Sequence, residues 1–268
     1  MATLGAINER GSTGYSNYNS LQVRFTKRFS KGFTALLSYT FSKEIDDMTI
    51  FNPLVNQDFL NRALGNASAP DIPHLFIGSF VYQLPFGRGR GFFSHMSYPA
   101  DLVLGGWQLS GITTIQSGPP LAVTDGTSNN GGLNGGWNNR ANYNSSCGSH
   151  APIVNKNNGL STTLGIQWFD VTCFSDHTAN YVLGNSVPGN VWGPGLFNFD
   201  LSLAKAVKVK ERYELKVRVD AFNAMNTPHF SNPGTTCCTA QSAGFGVITG
   251  TNSATPPRQL QLGIHFAF

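Results

Sequence analysis

Charged residues are scarce in this sequence of 268 residues. Only 12% of the residues are Asp, Glu, Lys or Arg, which is about half the share usual for a soluble domain. The formal net charge of +4 is small, and two loose basic clusters at 27–31 and 205–212 lie at the ends of strand-like segments. No recognition motif accompanies them. The composition therefore argues against a nucleic-acid partner.

Long apolar runs are missing as well. No segment approaches the roughly 18 consecutive apolar residues of a membrane helix. This excludes helical spans, but a membrane β-strand needs only about 9–11 residues, with every second one apolar. The first eight residues also lack the basic start and apolar core of an export signal. Either the chain is cytosolic or its true N-terminus lies further upstream, and the strand pattern favours the second explanation.

Patterns typical of catalysis and metal binding are absent too. The run Gly87–Gly91 lacks the Lys-Ser/Thr end of a phosphate loop. Asp71, His74 and Ser79 have no nucleophile-elbow motif around them. The densest acidic group, at 44–47, follows a strand as the start of a loop, and the four cysteines form no C-x-x-C pair. The sequence predicts no enzyme, no cofactor and no metal site.

The clearest positive signal is an alternating strand at the end of the chain. Apolar residues occupy every second position and alternate with Gln, Gly, His and Ala. The apolar positions are Leu260, Leu262, Ile264, Phe266 and Phe268. A strand of this length exceeds the usual soluble length of about 5–6 residues but fits a tilted membrane strand. One face of this strand is therefore predicted to be apolar and the other polar.

The same alternation recurs upstream, with weaker patterns in two segments. The seven predicted strands cover 21–30, 33–42, 74–84, 106–121, 197–204, 215–222 and 259–268. Long connections without regular structure are uncommon in compact soluble domains but typical of the outer side of membrane barrels. The long connections expected outside are 44–70, 122–195 and 227–256, and those expected in the periplasm are 30–32, 85–105 and 208–213. The prediction is an all-β fold, a partial antiparallel transmembrane β-barrel of about seven strands with long extracellular loops.

Several segments, in order along the chain, resemble the C-terminal barrel of Oar-like TonB-dependent receptors, which carry a carboxypeptidase-regulatory-like domain at their N-terminus. The segments are Asn19–Phe29, Phe33–Asp47, Val81–Gly89, Gly105–Pro120, Trp168–Asp170, Gly193–Lys205, Val219–Phe230 and the last strand. The resemblance implies a barrel of about 22 strands with a plugged lumen, in the outer membrane, taking up a large solute with energy from TonB.

This sequence departs from that family in having about seven strands, no plug and no TonB box. We therefore expect residues 1–268 to be the C-terminal part of the barrel domain, with the plug domain absent. The expected partners are outer-membrane lipid and the barrel assembly machinery. TonB and the plug are expected only in the full-length protein.

The resemblance and the alternation single out candidate residues. Phe268, with Phe266 on the same strand face, resembles the terminal aromatic signal read by the barrel assembly machinery; the alternative is an ordinary apolar strand end. An even cysteine count in loops suits an oxidising compartment. Cys147 and Cys173 form the first-choice disulfide, and free thiols are the alternative.

Charged residues mark both strand faces. Four of them have the parity of the polar face and are expected to point into the lumen: Asp200, Lys216, Arg218 and Asp220. They either line a ligand path, contact the plug or simply solvate a wide channel. Lys27 and Lys205 have apolar-face parity, where a mid-membrane lysine costs about 2–4 kcal/mol; both are expected near the periplasmic strand ends. The competing hypothesis is a soluble adhesin-like β-sandwich, in which the apolar faces pack together.

Overall fold

The computed structural model describes residues 15–46, 66–67, 71–126, 140–154, 161–162, 164–176, 184–209, 213–238 and 243–267. Its main feature is one sheet with seven long strands. These are β1 (Ser16–Ser30), β2 (Phe33–Asp46), β3 (His74–Gln83), β4 (Trp107–Gln116), β5 (Leu196–Val209), β6 (Tyr213–Phe222) and β7 (Gln259–Ala267). In the described part of the chain, no helix is both long enough and apolar enough to cross a membrane.

The seven strands follow one another across the sheet in chain order. Every neighbouring pair is antiparallel, and the two-residue strand Asn66–Ala67 adds to β2. Such a meander is the simplest product of hairpin connections, because antiparallel neighbours need no crossover. The predicted all-β antiparallel fold is confirmed. β1 begins earlier than predicted, and β5 extends further at its C-terminal end.

The β1–β2 turn shows how local sequence suits a tight hairpin connection. Lys31 and Gly32 have φ values of 51° and 80°, and two successive residues with positive φ characterise the type I′ turn that suits a twisted hairpin. A Cβ at position 32 would lie 2.9 Å from the backbone oxygen of Gln83. Glycine therefore serves both the turn and the close approach of β3.

The register lines up residues of one kind across neighbouring strands. Leu109, Leu203, Val219 and Leu262 lie opposite one another on four successive strands. One residue along, the matching row is Ser110, Ser202, Asp220 and Gln261. Because side chains alternate between the two faces of a strand, these rows define an apolar face and a polar face. A one-residue slip would exchange the two faces.

The connections fall at two ends of the sheet. The end that carries the β1–β2, β3–β4 and β5–β6 connections is called the turn end, and the opposite end the loop end. The β3–β4 connection contains α1 (Tyr98–Leu104), which has proline at its start and ends where the N–H of Gly105 donates to the carbonyl of Asp101 at 2.9 Å. The predicted assignment of the connections to two sides matches this arrangement, although the β3–β4 connection is long for the end that carries the two short turns.

At the loop end, the described parts of the β4–β5 and β6–β7 connections fold together into a compact unit, here called the loop cap. Its core is built mainly from Leu121, Val123, Ala141, Ala151, Phe169, Cys173, Phe174, Val191 and Cys237. Short strands join it: Pro120–Leu121 with Val191–Trp192, Thr124–Asp125 with Thr236–Cys237, Asn142–Tyr143 with Phe174–Ser175, and Gly165–Gln167 with both Ser161–Thr162 and Val247–Ile248. Two 3₁₀ turns cover Ser145–Cys147 and Val171–Cys173. The expectation that these connections lack regular structure was wrong for the described residues, because they bury apolar side chains against one another.

Candidate functional site

The polar face carries all four residues that the sequence predicted to point into a lumen. Arg218 and Asp220 form an ion pair along β6, with Nε of Arg218 donating to Oδ2 of Asp220 at 2.7 Å. Asp220 is buried, and Ser202 lies opposite it on β5. A charge-assisted bond of this kind holds the carboxylate in one position. Arg218 and Asp220 therefore form a fixed dipolar group on the sheet wall.

Asp200 has a different local role from Arg218 and Asp220. Its Oδ1 accepts from Nδ2 of Asn198 at 3.1 Å and from the backbone N–H of Asn223 at 2.8 Å. Asn223 begins the turn after β6 with φ 47°, and its side chain donates to the carbonyl of Thr227 at 2.9 Å. Asp200 thus ties β5 to the start of the β6–β7 connection at the loop end.

Lys216 stands apart from the other three. It lies nearer the turn end, and its Nζ is 3.5 Å from Oε1 of Glu214 on the same strand. Both side chains are partly exposed, and such surface pairs contribute little to stability. The structure therefore groups Asp200, Arg218 and Asp220 and leaves Lys216 in a separate pair.

A shallow cavity of about 390 Å³ opens on the polar face among β3, β4, β5 and β6. Its polar lining includes Ser202, Arg218 and Asp220, and its apolar lining includes Val81, Ile112 and Phe222. A mostly apolar wall with a few fixed polar groups is the usual composition of a small-ligand site. The apolar part of this lining was not predicted from the sequence. The signal was the weak alternation of β3 and β4, where apolar residues also occupy polar-face positions.

The apolar face is open in the described structure. Leu260, Leu262 and Ile264 on β7 are 72%, 68% and 68% exposed, and Phe25 on β1 is 57% exposed. A sandwich would shield these side chains beneath a second sheet. Phe266 belongs to this face and stacks on Tyr213, with ring centroids 5.9 Å apart. Phe268, the predicted assembly signal, lies outside the described residues.

Two lysines interrupt the apolar face, and both lie near the turn end. Nζ of Lys205 donates to the carbonyls of Val103 and Gly105 at 2.9 and 2.6 Å and lies 5.1 Å from the ring centroid of Trp107. Nζ of Lys27 lies 5.5 Å from the ring centroid of Phe33. Each ammonium group therefore has a specific partner at the rim of the apolar face.

The cysteines lie in the loop cap. Cys147 and Cys173 are joined by a disulfide with Cα atoms 6.0 Å apart, and Cys237 is joined to Cys238. Within the described ranges, one cluster could offer three metal ligands: Asp125, Cys237 and Cys238. Because a metal binds the thiolate, two sulfurs bonded to each other do not supply such a site.

The whole chain was compared with known proteins. Residues 1–261 match the model of the family described as an outer membrane beta barrel domain. A search of curated proteins finds no match. The family match agrees with an antiparallel meander whose two faces differ in polarity, and it confirms the predicted location. The chain belongs to the outer membrane β-barrel domain family and is an outer-membrane protein.

Proposed function

We propose that this chain forms part of the barrel wall of a TonB-dependent receptor of the Oar-like kind, which takes up a large solute in the full-length protein. The apolar face contacts lipid and the polar face lines the lumen. The plug domain and TonB belong to the full-length receptor in this proposal. The chain's part is structural and ligand-guiding rather than catalytic.

The observation that carries the proposal is the separation of the two faces by register. A row of apolar side chains on four strands stands back to back with a row of Ser, Asp and Gln. In a soluble sandwich the apolar row would form the core, whereas here the end strand β7 exposes it. Lipid on one side and water on the other account for both rows.

The segments that resemble Oar-like receptors also contain the residues that fasten the loop cap to the sheet. Asp200 binds the N–H of Asn223, and both residues belong to such segments. His229, in the same segment as Asn223, is buried, and its Nε2 lies 2.8 Å from the carbonyl oxygen of Phe197. These contacts support the resemblance to Oar-like receptors, because residues in the resembling segments have defined structural roles here.

Membrane fractionation and a binding assay test the proposal. The full-length protein should remain in outer membranes washed with urea, which removes peripheral proteins. After detergent extraction it should be retained by an immobilised periplasmic domain of TonB, with a general porin as the control for non-specific retention. Recovery in the urea wash would contradict the barrel-wall role. Retention no greater than that of the porin would contradict TonB dependence alone.

The proposed assembly signal has its own test. Phe268→Ser should lower the amount of protein in the outer membrane while total synthesis stays constant, because the assembly machinery would lose the terminal aromatic. Gln259→Ser, on the polar face at the other end of β7, is the matched control. If the two variants accumulate equally, Phe268 is an ordinary strand end.

A further inference from the structure

The β3–β4 connection, residues 84–106, is long for a turn on the periplasmic side. We propose that this segment, here called the rim segment, is an interfacial anchor that binds the anionic phospholipid surface at the turn end of the barrel. The proposal rests on the proposed function, because it takes the apolar face as the lipid-facing side. It adds a second mode of membrane contact, along the bilayer surface.

The C-terminal end of α1 lies on the apolar side of the sheet. Trp107 and Lys205 lie opposite each other on the apolar face. Nε1 of Trp107 donates to the carbonyl of Val103 at 3.0 Å, and Nζ of Lys205 donates to the same carbonyl at 2.9 Å. A carbonyl that accepts from two side chains of the apolar face lies on that side of the sheet. The C-terminal end of α1 is therefore held outside the barrel, at its rim.

The rim segment presents an exposed surface that is rich in apolar side chains. None of the residues of α1 is buried. Phe93 and Val103 are each 66% exposed. The exposed large apolar side chains of the segment are Phe86, Phe92, Phe93, Tyr98, Val103 and Leu104. Exposed apolar side chains at this density are rare on a surface that faces only water, and Trp107 of the apolar face donates to the carbonyl of Val103 in the same segment.

The rim segment also carries an excess of positive charge. Arg88 and Arg90 are exposed, and Asp101 is the single acidic residue between positions 84 and 106. Oδ1 of Asp101 accepts from the backbone N–H of Arg88 at 2.8 Å, so that the carboxylate is engaged within the loop. Guanidinium groups match phosphate geometry. Aromatic side chains together with arginines are typical of segments that lie in the membrane interface.

Lysine at position 205 fits the same picture. The carbonyls at the C-terminal end of a helix attract cations, and Lys205 donates to one of them, that of Val103, and to the carbonyl of the C-cap residue Gly105. The helix therefore covers a charge that the apolar face would otherwise expose to hydrocarbon. In return, the lysine holds α1 against the rim, where its apolar residues can reach lipid.

Tryptophan quenching by brominated lipids tests the proposal on the full-length protein. The variants are Phe93→Trp in the rim segment, Leu262→Trp on the apolar face and Ser145→Trp on the exposed loop cap. Each is reconstituted into phosphatidylethanolamine/phosphatidylglycerol vesicles brominated either near the headgroup or deep in the acyl chain. Emission of the unsubstituted chain is subtracted. The added Phe93→Trp emission should be lost mainly to shallow bromines, that of Leu262→Trp mainly to deep ones, and that of Ser145→Trp to neither.

The charge argument is tested in the Phe93→Trp background. Shallow quenching should increase with phosphatidylglycerol content, and Arg88→Gln with Arg90→Gln should flatten that dependence. Each arginine removed should lower the ratio of docked to undocked segment about fivefold, which corresponds to about 1 kcal/mol per basic residue near an anionic surface.

The outcomes separate this proposal from the one on which it rests. If Leu262→Trp is quenched and Phe93→Trp is quenched no more than Ser145→Trp, the rim anchor is overturned while the barrel wall stands. If Leu262→Trp also escapes quenching, the barrel-wall role fails. If Phe93→Trp is shielded from lipid and from aqueous acrylamide alike, protein covers the segment, which overturns the anchor as well.

Discussion

Leu262 allows the lipid-facing role of the apolar face to be measured with one substitution. It lies in the interior of β7, opposite Val219, and 68% of its side chain is exposed in the chain itself. Gln261, the adjacent residue, lies on the polar face opposite Asp220. Leu262→Lys and Gln261→Lys therefore place the same charge at the same depth on opposite sides of the sheet.

The expected magnitude follows from the exposure of Leu262. Since the side chain fills no protein cavity, its replacement leaves no packing defect, and any large cost must come from the surrounding solvent. In water, a surface substitution of this kind changes stability by about 0.5 kcal/mol or less. In hydrocarbon, a lysine near the midplane costs about 2–4 kcal/mol. This lowers the folding equilibrium constant about 30- to 700-fold.

In the assay, the protein is unfolded reversibly by urea in phospholipid vesicles, and unfolding is monitored by tryptophan emission. Leu262→Lys should be less stable than the parent by the hydrocarbon cost, and Gln261→Lys should remain close to the parent. Equal stabilities of the two variants, within about 0.5 kcal/mol, would refute the assignment of the faces. Destabilisation confined to Gln261→Lys would show that the assignment is reversed.

Three further predictions concern the loop cap and the rim segment. Replacing both Cys147 and Cys173 by Ser removes a disulfide across a sequence separation of 26. This should lower the free energy of unfolding of the loop cap by about 3 kcal/mol. Burial raises the pKa of Tyr143, so the neutral phenol is favoured in the folded cap; stability should be full below about pH 10 and fall as pH rises through the folded-state pKa. Tyr143→Phe should abolish that alkaline loss and, because the buried hydroxyl has no hydrogen-bond partner among the described residues, stabilise the cap by about 1 kcal/mol. Lys205→Met should speed hydrogen exchange of the α1 amides, because the carbonyls of Val103 and Gly105 lose their donor; unchanged exchange would mean that other contacts hold the helix.

The long strands were predictable because a strand with one apolar and one polar face gives a strong period-two signal. In β7 the residues of both faces are largely exposed, so that each apolar position reflects the polarity of one face alone. The weak signal of β3 and β4 also has a physical cause. Ile77 and Ile112 have the parity of the polar face yet are apolar and exposed. They form part of the sheet wall at and beside the cavity, where strict polarity does not hold.

The loop cap could not be predicted, because its order comes from contacts between distant segments. Its strands are two or three residues long, too short to give a period. Thr124–Asp125 pairs with Thr236–Cys237, and Gly165–Gln167 pairs with Val247–Ile248. No local pattern announces such pairings. The cysteines gave the only sequence hint that the long connections are held together.

The sequence predicts only part of the candidate site: it indicates the strand face of each residue but not the residue's neighbours on other strands. Parity placed Asp200, Arg218 and Asp220 on one common face, and the strand register agrees, since strand alternation fixes the side of each residue. Parity says nothing about neighbours on other strands. The pairing of Asp200 with the N–H of Asn223, and the contribution of Ile112 to the same cavity, depend on register. Register in turn depends on turns and bulges that the alternation does not encode.

The buried residues are distributed unevenly between the long strands and the loop cap. Among the buried apolar side chains of the described residues, Ala35 alone belongs to a long strand of the sheet, and the others lie in the connections that form or adjoin the loop cap. A soluble β domain has the reverse arrangement, because its strands must bury one face to offset the conformational entropy that folding removes. Here the sheet keeps that face outside. In the proposed barrel wall, the free energy that orders the long strands comes from transfer of the apolar face into hydrocarbon, while the loop cap folds in water around its own core.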